Sequence, residues 1–212
     1  MQLYMFEHCF LCFRVRMIAA LKRLHLQETV VLDDDSATMI ALAGRRVVPI
    51  LVKDDGQPML ESKDIVDYLD GLGARILTGR ERGEVGACSE RIMTRLRPLA
   101  QPRYPLLGLP EFATIAALDH YTLRKRKTLG DFVKLRAHTR RYIDALMPDL
   151  ETLDDLIDNA SAVNGELSLD DVRVLPLLRS VATVKGLRFP HKVQSYFATM
   201  MDRIGYKPLP AV

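Results

Sequence analysis

The first 75 residues alternate between strand-like and helix-like patterns of apolar positions. Short β-branched or apolar runs predict strands, and longer segments with apolar residues three or four positions apart predict amphipathic helices. The predicted strands are 3–6, 28–32, 47–52 and 58–60, and the predicted helices are 13–24, 36–42 and 62–72.

Turn and cap residues support the same division. Ser36 and Ser62 each stand before a helical pattern, so we expect both to be N-caps, and Gly44 ends the first of these helices. Asp54-Asp55-Gly56 is a turn signal between two strands. The order βαβ followed by αββα predicts a thioredoxin-like α/β domain, a small mixed sheet with helices on both faces.

The remainder of the chain contains no strand–turn–strand pattern. Five glycines between positions 71 and 86 indicate a linker. Helical periodicity then recurs near 84–101, 111–128, 131–158, 168–185 and 190–203. We therefore predict a thioredoxin-like domain at 1–72, a linker at 73–83 and an all-α domain at 84–212.

Composition narrows the class of protein. The 212 residues are 48% hydrophobic, enough for one large core or two small ones. The formal net charge of +3 is too balanced for a nucleic-acid-binding protein. The densest basic run, 124–127, is expected to be a solvated helix face.

The expected compartment is the cytoplasm. No apolar run approaches the roughly 18 residues of a membrane span, and the N-terminal residues lack the pattern of a secretory signal. Three cysteines cannot form a disulfide framework. A reducing environment is therefore expected, and there a Cys-x-x-Cys pair is catalytic or metal-binding more often than structural.

The motif Cys9-Phe10-Leu11-Cys12 lies where the first predicted strand ends and a helix begins. Unpaired amides and the helix dipole favour negative charge there, so the pKa of Cys9 should be depressed. The thiolate is the attacking species in disulfide exchange, and Cys12, one turn on, can displace whatever becomes bonded to Cys9.

Three basic side chains flank the two cysteines. Arg14 and Arg16 can add positive potential that favours a thiolate. His8 can do the same when it is protonated, but a solvated loop histidine is the expectation for this position.

Half of a zinc site is the main alternative for the Cys-x-x-Cys pair. A closed zinc site needs four ligands. The remaining cysteine, Cys88, is expected to be a bystander thiol near the linker, and the five histidines show no paired spacing. Redox chemistry is therefore favoured and no metal is expected.

Two further motifs are compatible with a bound peptide-like ligand. Pro49 within a strand needs a special reason; a cis bond would leave the Val48 backbone beside Cys9, although a trans proline on an edge strand is commoner. At a helix start, the amide and hydroxyl of Ser62 can hold a carboxylate and Glu61 can pair with an ammonium. Each motif alone has a simpler structural interpretation.

Taken together, these motifs resemble the glutaredoxin 2 family, whose members have a glutathione-transferase-like fold. The likeness spans nearly the whole chain, and its downstream block is specific to the family. The matching residues are Leu3-Tyr4, His8-Cys9-x-x-Cys12, Arg16-Met17, Val48-Pro49-Ile50-Leu51, Lys53-Asp54-Asp55, Glu61-Ser62-x-Asp64-Ile65-Val66, Leu77-Thr78-Gly79, Ala162-Val163-Asn164-Gly165-Glu166-Leu167-Ser168 and Pro176-Leu177-Leu178-Arg179.

The resemblance implies a thioredoxin-like domain followed by an all-α domain, usually in a monomer. It also implies reduction of protein disulfides and glutathione mixed disulfides, with glutathione as the reducing co-substrate. Carried over by position, Cys9 is the nucleophile, Cys12 the resolving thiol, Val48 the backbone partner of the cysteinyl part of glutathione, Pro49 the cis proline, and Glu61 and Ser62 the partners of the γ-glutamyl end.

One departure from the family pattern lies between the two cysteines, where Phe10 and Leu11 replace the usual Pro and Tyr. Losing the proline restores a backbone donor at the helix start, which can change thiolate stability. Two alternative functions therefore stay open: a glutathione transferase, and a glutathione- or peptide-binding module with weakened redox turnover.

Overall fold

Four strands form one mixed sheet in the computed structural model, which describes all 212 residues. The strands are β1 (Gln2–Met5), β2 (Gln27–Val30), β3 (Ile50–Val52) and β4 (Pro58–Met59). They lie in the order β2-β1-β3-β4. The β1–β2 pair is parallel, and the β1–β3 and β3–β4 pairs are antiparallel. The predicted thioredoxin-like α/β arrangement is thus confirmed.

Three helices accompany this sheet: α1 (Phe10–Leu21), α2 (Ser36–Ala43) and α3 (Ser62–Asp70). Alternate residues of β1 are buried, α1 packs on α3, and the two helices bury apolar side chains such as Ile18 and Leu69. Burying a large apolar side chain is worth about 1.5–3 kcal/mol. A second apolar cluster joins Met39 of α2 to Ile50 of β3, and Cys9, Val48 and Leu60 pack against it.

Six helices complete the chain, and no helix is long and apolar enough to cross a membrane. Contacts divide the protein into two compact units, the first formed by Met1–Arg75 and Gly108–Lys125, the second by Ile76–Leu107 and Arg126–Val212. The predicted boundaries at 72, 73–83 and 84 stay a prediction. The helices are α4 (Gly83–Ala100), α5 (Ile115–Leu129), α6 (Phe132–Ala137), α7 (Thr139–Leu156), α8 (Leu169–Val181) and α9 (His191–Ile204).

Both predicted N-caps, Ser36 and Ser62, are wrong by one residue. Asp35 caps α2 by accepting a hydrogen bond of 3.0 Å from the amide of Thr38, so Ser36 is already helical. A carboxylate oxygen is as good a cap as a hydroxyl, and the acidic residue stands first. Ser62 likewise is the first helical residue of α3 and follows Glu61, whose side chain makes no capping bond. Gly44 ends α2 with a φ of 70°, as predicted.

The single helix predicted at 131–158 is wrong, because the chain breaks into α6 and α7 at His138. The His138 ring lies 2.7 Å from the carbonyl oxygen of Lys134, and the Thr139 hydroxyl donates to the carbonyl of Arg136. Side chains that bond to the preceding turn compete with continued helix formation. Apolar periodicity alone does not reveal this competition.

The start of α8 is closed by an internal polar network. Ser168 and Asp171 form a capping box. The Asp171 carboxylate also accepts from the amide of Val163 at 2.8 Å and from the hydroxyl of Tyr196 at 3.0 Å. Burial raises the pKa of Asp171 against these hydrogen bonds.

A close backbone contact lies just before this helix start. The amide of Gly79 donates to the carbonyl of Leu167 at 2.8 Å. A β-carbon at position 79 would be 2.5 Å from the carbonyl oxygen of Glu166. Only glycine fits there without displacing the backbone.

Candidate active site

The Cys-x-x-Cys pair lies at the junction of β1 and α1, as the sequence predicts. Cys9 is the residue before α1 and has extended backbone angles. Cys12 is in the first turn of α1 and is wholly buried, whereas Cys9 is partly exposed. Both are free thiols. Cys9 is therefore the more exposed residue of the pair, and Cys12 is shielded from solvent.

The two thiols differ in acidity. A hydrogen bond from the Cys12 thiol is the largest influence on Cys9, and it outweighs burial in lowering the pKa of Cys9 to about 6. The charge of His8 and the amides of Cys12 and Leu11 act in the same direction. Burial, followed by the neighbouring Cys9, raises the pKa of Cys12 well above its ordinary value. The arrangement supports a thiolate at Cys9 and a protonated thiol at Cys12.

His8 is not the solvated loop residue that was expected. Its side chain is 11% exposed, and its Nδ1 lies 2.6 Å from Oε1 of Glu111. The ring stacks between Phe6 and Phe112, with centroids 5.7 and 5.4 Å away, and meets the edge of Tyr121. The expectation was wrong because the partners of His8 come from a distant part of the sequence.

Glu111 is a wholly buried carboxylate in the short 3₁₀ turn Pro110–Phe112. Burial alone would raise its pKa, but the hydrogen bonds and charge of His8 lower the pKa below its ordinary value. Its Oε1 also accepts from the amide of His8 at 2.9 Å, whereas Oε2 is buried without a hydrogen-bond partner. The contact with His8 thus offsets the burial of this carboxylate.

A second buried carboxylate, Asp33, holds cations near Cys9. It accepts from Arg46 at 3.2 Å, from Arg124 at 3.1 Å and from the ring of His120 at 2.8 Å. In the basic run 124–127, Arg124 pairs with Asp33 while its side chain stays 37% exposed, and Arg126 is exposed. His120 and Arg124 are four residues apart on α5, so they share one face of that helix.

A groove of about 270 Å³ opens beside Cys9. It combines a thiol, an apolar floor and three cationic side chains. The lining includes Cys9, Met39, Val48, Arg46, Arg124 and Lys125. The Val48–Pro49 bond is cis, as predicted. The backbone of Val48 takes part in none of the hydrogen bonds of the sheet or the turns, so its donor and acceptor are available to a ligand.

The other predicted ligand-binding residues lie at the start of α3. Glu61 is exposed and pairs with Arg45 at 2.8 Å, whereas Ser62 is buried. Neither lines the groove. Leu60, immediately before them, packs against the same apolar cluster as Cys9 and Val48. The structure therefore brings Cys9 and Val48 together and places Glu61 and Ser62 on an adjoining helix end.

The two arginines of α1 have different surroundings. Arg16 is buried and is held by Glu7 at 2.8 Å and Glu28 at 2.9 Å, so its charge is compensated. Arg14 lies over the ring of Phe10, 5.6 Å from its centroid. His8 therefore supplies the positive charge that acts on Cys9, and Arg16 acts on Cys12.

Comparison with known proteins points to one family, both for the C-terminal part of the chain and for nearly its whole length. Residues 84–207 match the family described as the C-terminal domain of glutaredoxin 2. Glutaredoxin 2 of Escherichia coli strain K12 is 39% identical over 197 residues, which are 92% of each chain. This chain belongs to the glutaredoxin 2 family. The predicted enzyme class, a glutaredoxin-type glutathione-disulfide oxidoreductase, is thereby confirmed.

Solved structures agree with this assignment. Glutaredoxin 2 of Salmonella typhimurium, solved in complex with glutathione, has a TM-score of 0.95 and 36% identity, and the match covers 98% of this chain and 96% of that one. Residues 3–75 also match the N-terminal domain of glutathione S-transferases. A glutathione S-transferase from Rhodospirillum rubrum, at 19% identity, a TM-score of 0.63 and coverage of 98% and 90%, shares the fold. The predicted glutathione-transferase-like architecture is confirmed.

Sequence inspection missed three site residues: Glu111, Asp33 and Arg124. Glu111 and His8 are 103 positions apart, and Asp33 and Arg124 are 91 apart. Nothing local distinguishes Glu111 from an ordinary surface glutamate. The i, i+4 pair of His120 and Arg124 was a usable signal, because it puts two cationic groups on one helix face.

Proposed function

We propose that this member of the glutaredoxin 2 family reduces protein–glutathione mixed disulfides and protein disulfides, with Cys9 as the attacking thiolate. The observation that carries the proposal is the position of Cys9, partly exposed directly before α1, with a hydrogen bond from the buried Cys12 thiol that lowers the pKa of Cys9 to about 6. A thiol of that acidity is mostly ionised at neutral pH, and the thiolate is the nucleophile in disulfide exchange.

On a mixed disulfide the cycle uses Cys9 alone. The Cys9 thiolate attacks the glutathione sulfur, a Cys9–glutathione disulfide forms, and the protein thiolate leaves and takes up a proton. A second glutathione, as its thiolate, then attacks the glutathione sulfur of this intermediate. Oxidised glutathione is released, and Cys9 returns as a thiolate.

On a protein disulfide the second cysteine is required. Cys9 attacks one substrate sulfur and forms a mixed disulfide with the substrate, releasing the other substrate thiol. Cys12 loses its proton, attacks the Cys9 sulfur and releases the reduced substrate. Two glutathione molecules then reduce the Cys9–Cys12 disulfide, and their oxidised dimer is the product.

We also propose the glutathione-binding roles. The free backbone groups of Val48, next to the cis Pro49, pair with the cysteinyl part of glutathione. Glu61 and Ser62 at the start of α3 bind the γ-glutamyl end, where a helix N-terminus favours a carboxylate. Support comes from the cationic lining of the groove and from the relative of Salmonella typhimurium that was solved with glutathione.

The remaining proposals concern context. We propose a monomer that acts in the cytoplasm on disulfide-bonded or glutathionylated proteins, and the three free thiols agree with a reducing compartment. We also propose a thioredoxin-like domain at 1–72, a linker at 73–83 and an all-α domain at 84–212. The family matches at 3–75 and 84–207 support these limits.

Glutathione-dependent reduction of a small mixed disulfide tests the roles of the cysteines. Wild type should be active, Cys9→Ser should fall to the uncatalysed rate, and Cys88→Ser is the matched control that should keep full activity. Cys12→Ser should keep activity on the mixed disulfide and lose it on a protein disulfide. Equal rates for wild type and Cys9→Ser would contradict the proposal.

Two further assays separate the alternatives. Conjugation of glutathione to an aromatic electrophile that is unaffected by Cys9→Ser would favour a transferase. A measured Cys9 pKa near the free-cysteine level of about 8.5 would favour a binding module with little turnover.

A further inference from the structure

His8 and Glu111 form an ion pair beside the catalytic thiol that the disulfide-exchange cycle does not use. Nδ1 of the ring lies 2.6 Å from Oε1 of Glu111, and the same oxygen accepts from the His8 amide at 2.9 Å. Two contacts to one oxygen fix both the backbone and the ring of the residue directly before Cys9. Stacking against Phe6 and Phe112 removes the remaining freedom of the ring.

The burial of Glu111 makes the pair electrically significant. The side chain is wholly buried, and its second oxygen, Oε2, has no hydrogen-bond partner. A buried carboxylate without a compensating charge is strongly unfavourable. His8 is the side chain that touches this carboxylate, and its hydrogen bonds and charge lower the pKa of Glu111 against the effect of burial.

We propose that Glu111 is a positioning residue for the oxidoreductase reaction: it fixes the His8 ring, so that the charge of this ring acts on the Cys9 thiolate. Glu111 acts only through His8. This inference deepens the proposed function, because it concerns how the attacking thiolate is maintained. It adds a residue of the 3₁₀ turn Pro110–Phe112 to a site built from the first 62 residues and from Arg124 and Lys125 of α5.

Other charged groups face this pair. Cys9 and Cys12 lie on the α1 side, and Asp33 donates its backbone amide to the carbonyl of Glu111 at 2.9 Å. From α5, Tyr121 meets the His8 ring, and Arg124 and Lys125 lie over Tyr121. The two α5 cations are not among the groups that lower the Cys9 pKa, and the contribution of His8 is isolated by substitution.

The sign of the Cys9 pKa shift in Glu111→Gln isolates the contribution of His8. Removing a nearby negative charge would by direct electrostatics make the Cys9 thiolate easier to form, which lowers the Cys9 pKa. If Glu111 acts through His8, the same substitution releases the His8 ring, weakens the effect of its charge on Cys9 and raises the Cys9 pKa. Direct repulsion and the proposed positioning role thus predict opposite shifts.

The experiment is the pH dependence of Cys9 alkylation by iodoacetamide, followed by mass spectrometry, so it does not depend on reductase activity. We expect Glu111→Gln to raise the Cys9 pKa by about one unit, which is about a tenfold slower alkylation at a pH below both pKa values. Glu28→Gln, which removes a carboxylate bound to Arg16 instead, is the matched control and should leave the Cys9 pKa unchanged. An unchanged or lowered pKa in Glu111→Gln would overturn the proposal.

A second variant keeps the proposal testable if Glu111→Gln folds poorly. His8→Phe, which retains a ring between Phe6 and Phe112, should by itself raise the Cys9 pKa. Where both variants fold, adding Glu111→Gln to His8→Phe should raise the Cys9 pKa no further. An unchanged Cys9 pKa in His8→Phe, or an equal rise from Glu111→Gln without His8, would refute the role. If the Cys9 pKa shifts are as expected but wild type has no reductase activity, the proposed function is wrong and the role of Glu111 in the acidity of Cys9 stands.

Discussion

The helices α1 and α8 begin in opposite ways. At α8 the Ser168–Asp171 capping box and the contacts of Val163 and Tyr196 satisfy the polar groups within the protein. At α1 the residue in the capping position is Cys9, whose side chain makes no capping hydrogen bond. The first-turn amides of α1 therefore stay available to favour a thiolate. One helix start contributes stability, and the other contributes reactivity.

The largest effect, a loss of stability, is expected at the start of α8. Asp171→Ala removes the acceptor of the Ser168 and Val163 amides and of the Tyr196 hydroxyl. Leaving buried donors unpaired costs about 1–3 kcal/mol each, so we expect a loss of about 3 kcal/mol or more in the free energy of unfolding. Urea denaturation measures it.

A matched carboxylate provides the control for this substitution. Asp144→Ala breaks an exposed pair with Arg140 and should cost about 0.3–0.5 kcal/mol. The Cys9 pKa should be unchanged in both variants. Equal losses of stability in the two variants would show that the polar network at the start of α8 makes no special contribution to stability.

At the start of α1 we expect substitutions to change the acidity of Cys9. Cys12→Ala removes the thiol hydrogen bond that is the largest influence on Cys9, so the Cys9 pKa should rise from about 6 toward its ordinary value. Cys12→Ser keeps a hydroxyl donor and should shift the Cys9 pKa less. Alkylation of Cys9 as a function of pH measures both. A larger rise in Cys12→Ser than in Cys12→Ala would be inconsistent with this account.

The same acidity makes a smaller prediction about stability and pH. The folded pKa of Cys9, about 6, lies below the ordinary 9.0. Ionisation of Cys9 therefore stabilises the folded, reduced protein fully above pH 9, and this stabilisation is lost as the pH falls to about 6. The free energy of unfolding of wild type minus that of Cys9→Ser should increase from pH 6 to pH 9. A constant difference would show that the thiol is not acidic.

The smallest effect is expected from restoring the usual proline of the family. Phe10→Pro removes a backbone donor that is not among the groups acting on Cys9, and proline suits the first helical position. The Cys9 pKa should change by less than about half a unit. Leu11→Pro is the contrast, since it deletes an amide that favours the thiolate. A large shift of the Cys9 pKa in Phe10→Pro but not in Leu11→Pro would show that the Phe10 amide, which the usual proline lacks, controls the acidity of Cys9.

The features predicted correctly from the sequence have local causes. Strand alternation gives the sheet, and the glycine after α2 gives the end of that helix. The strand-to-helix junction at Cys9 follows from the change of apolar periodicity there. The cis bond at Pro49 was expected from the family resemblance, since a proline in a strand alone favours the trans form.

The features that were missed depend on contacts across the sequence. His8 looks like a loop histidine until Glu111 folds against it, and Arg124 looks unpaired until Asp33 is buried beneath it. A buried carboxylate requires a cation, but the sequence does not say which carboxylates are buried. The break at His138 was not predicted for a related reason, since side-chain bonds to the preceding turn are not visible in apolar periodicity.

The close approach at Gly79 bears on how this protein can be recombined with its relatives. Its amide bonds to Leu167, and any side chain would collide with the carbonyl of Glu166. The segment around position 79 is thus a fitted part of the helical unit and not an interchangeable tether. A chimaera that takes 77–79 from one parent should take 162–168 from the same parent, and a crossover between them risks a backbone clash. Crossover libraries should therefore keep these two distant segments together.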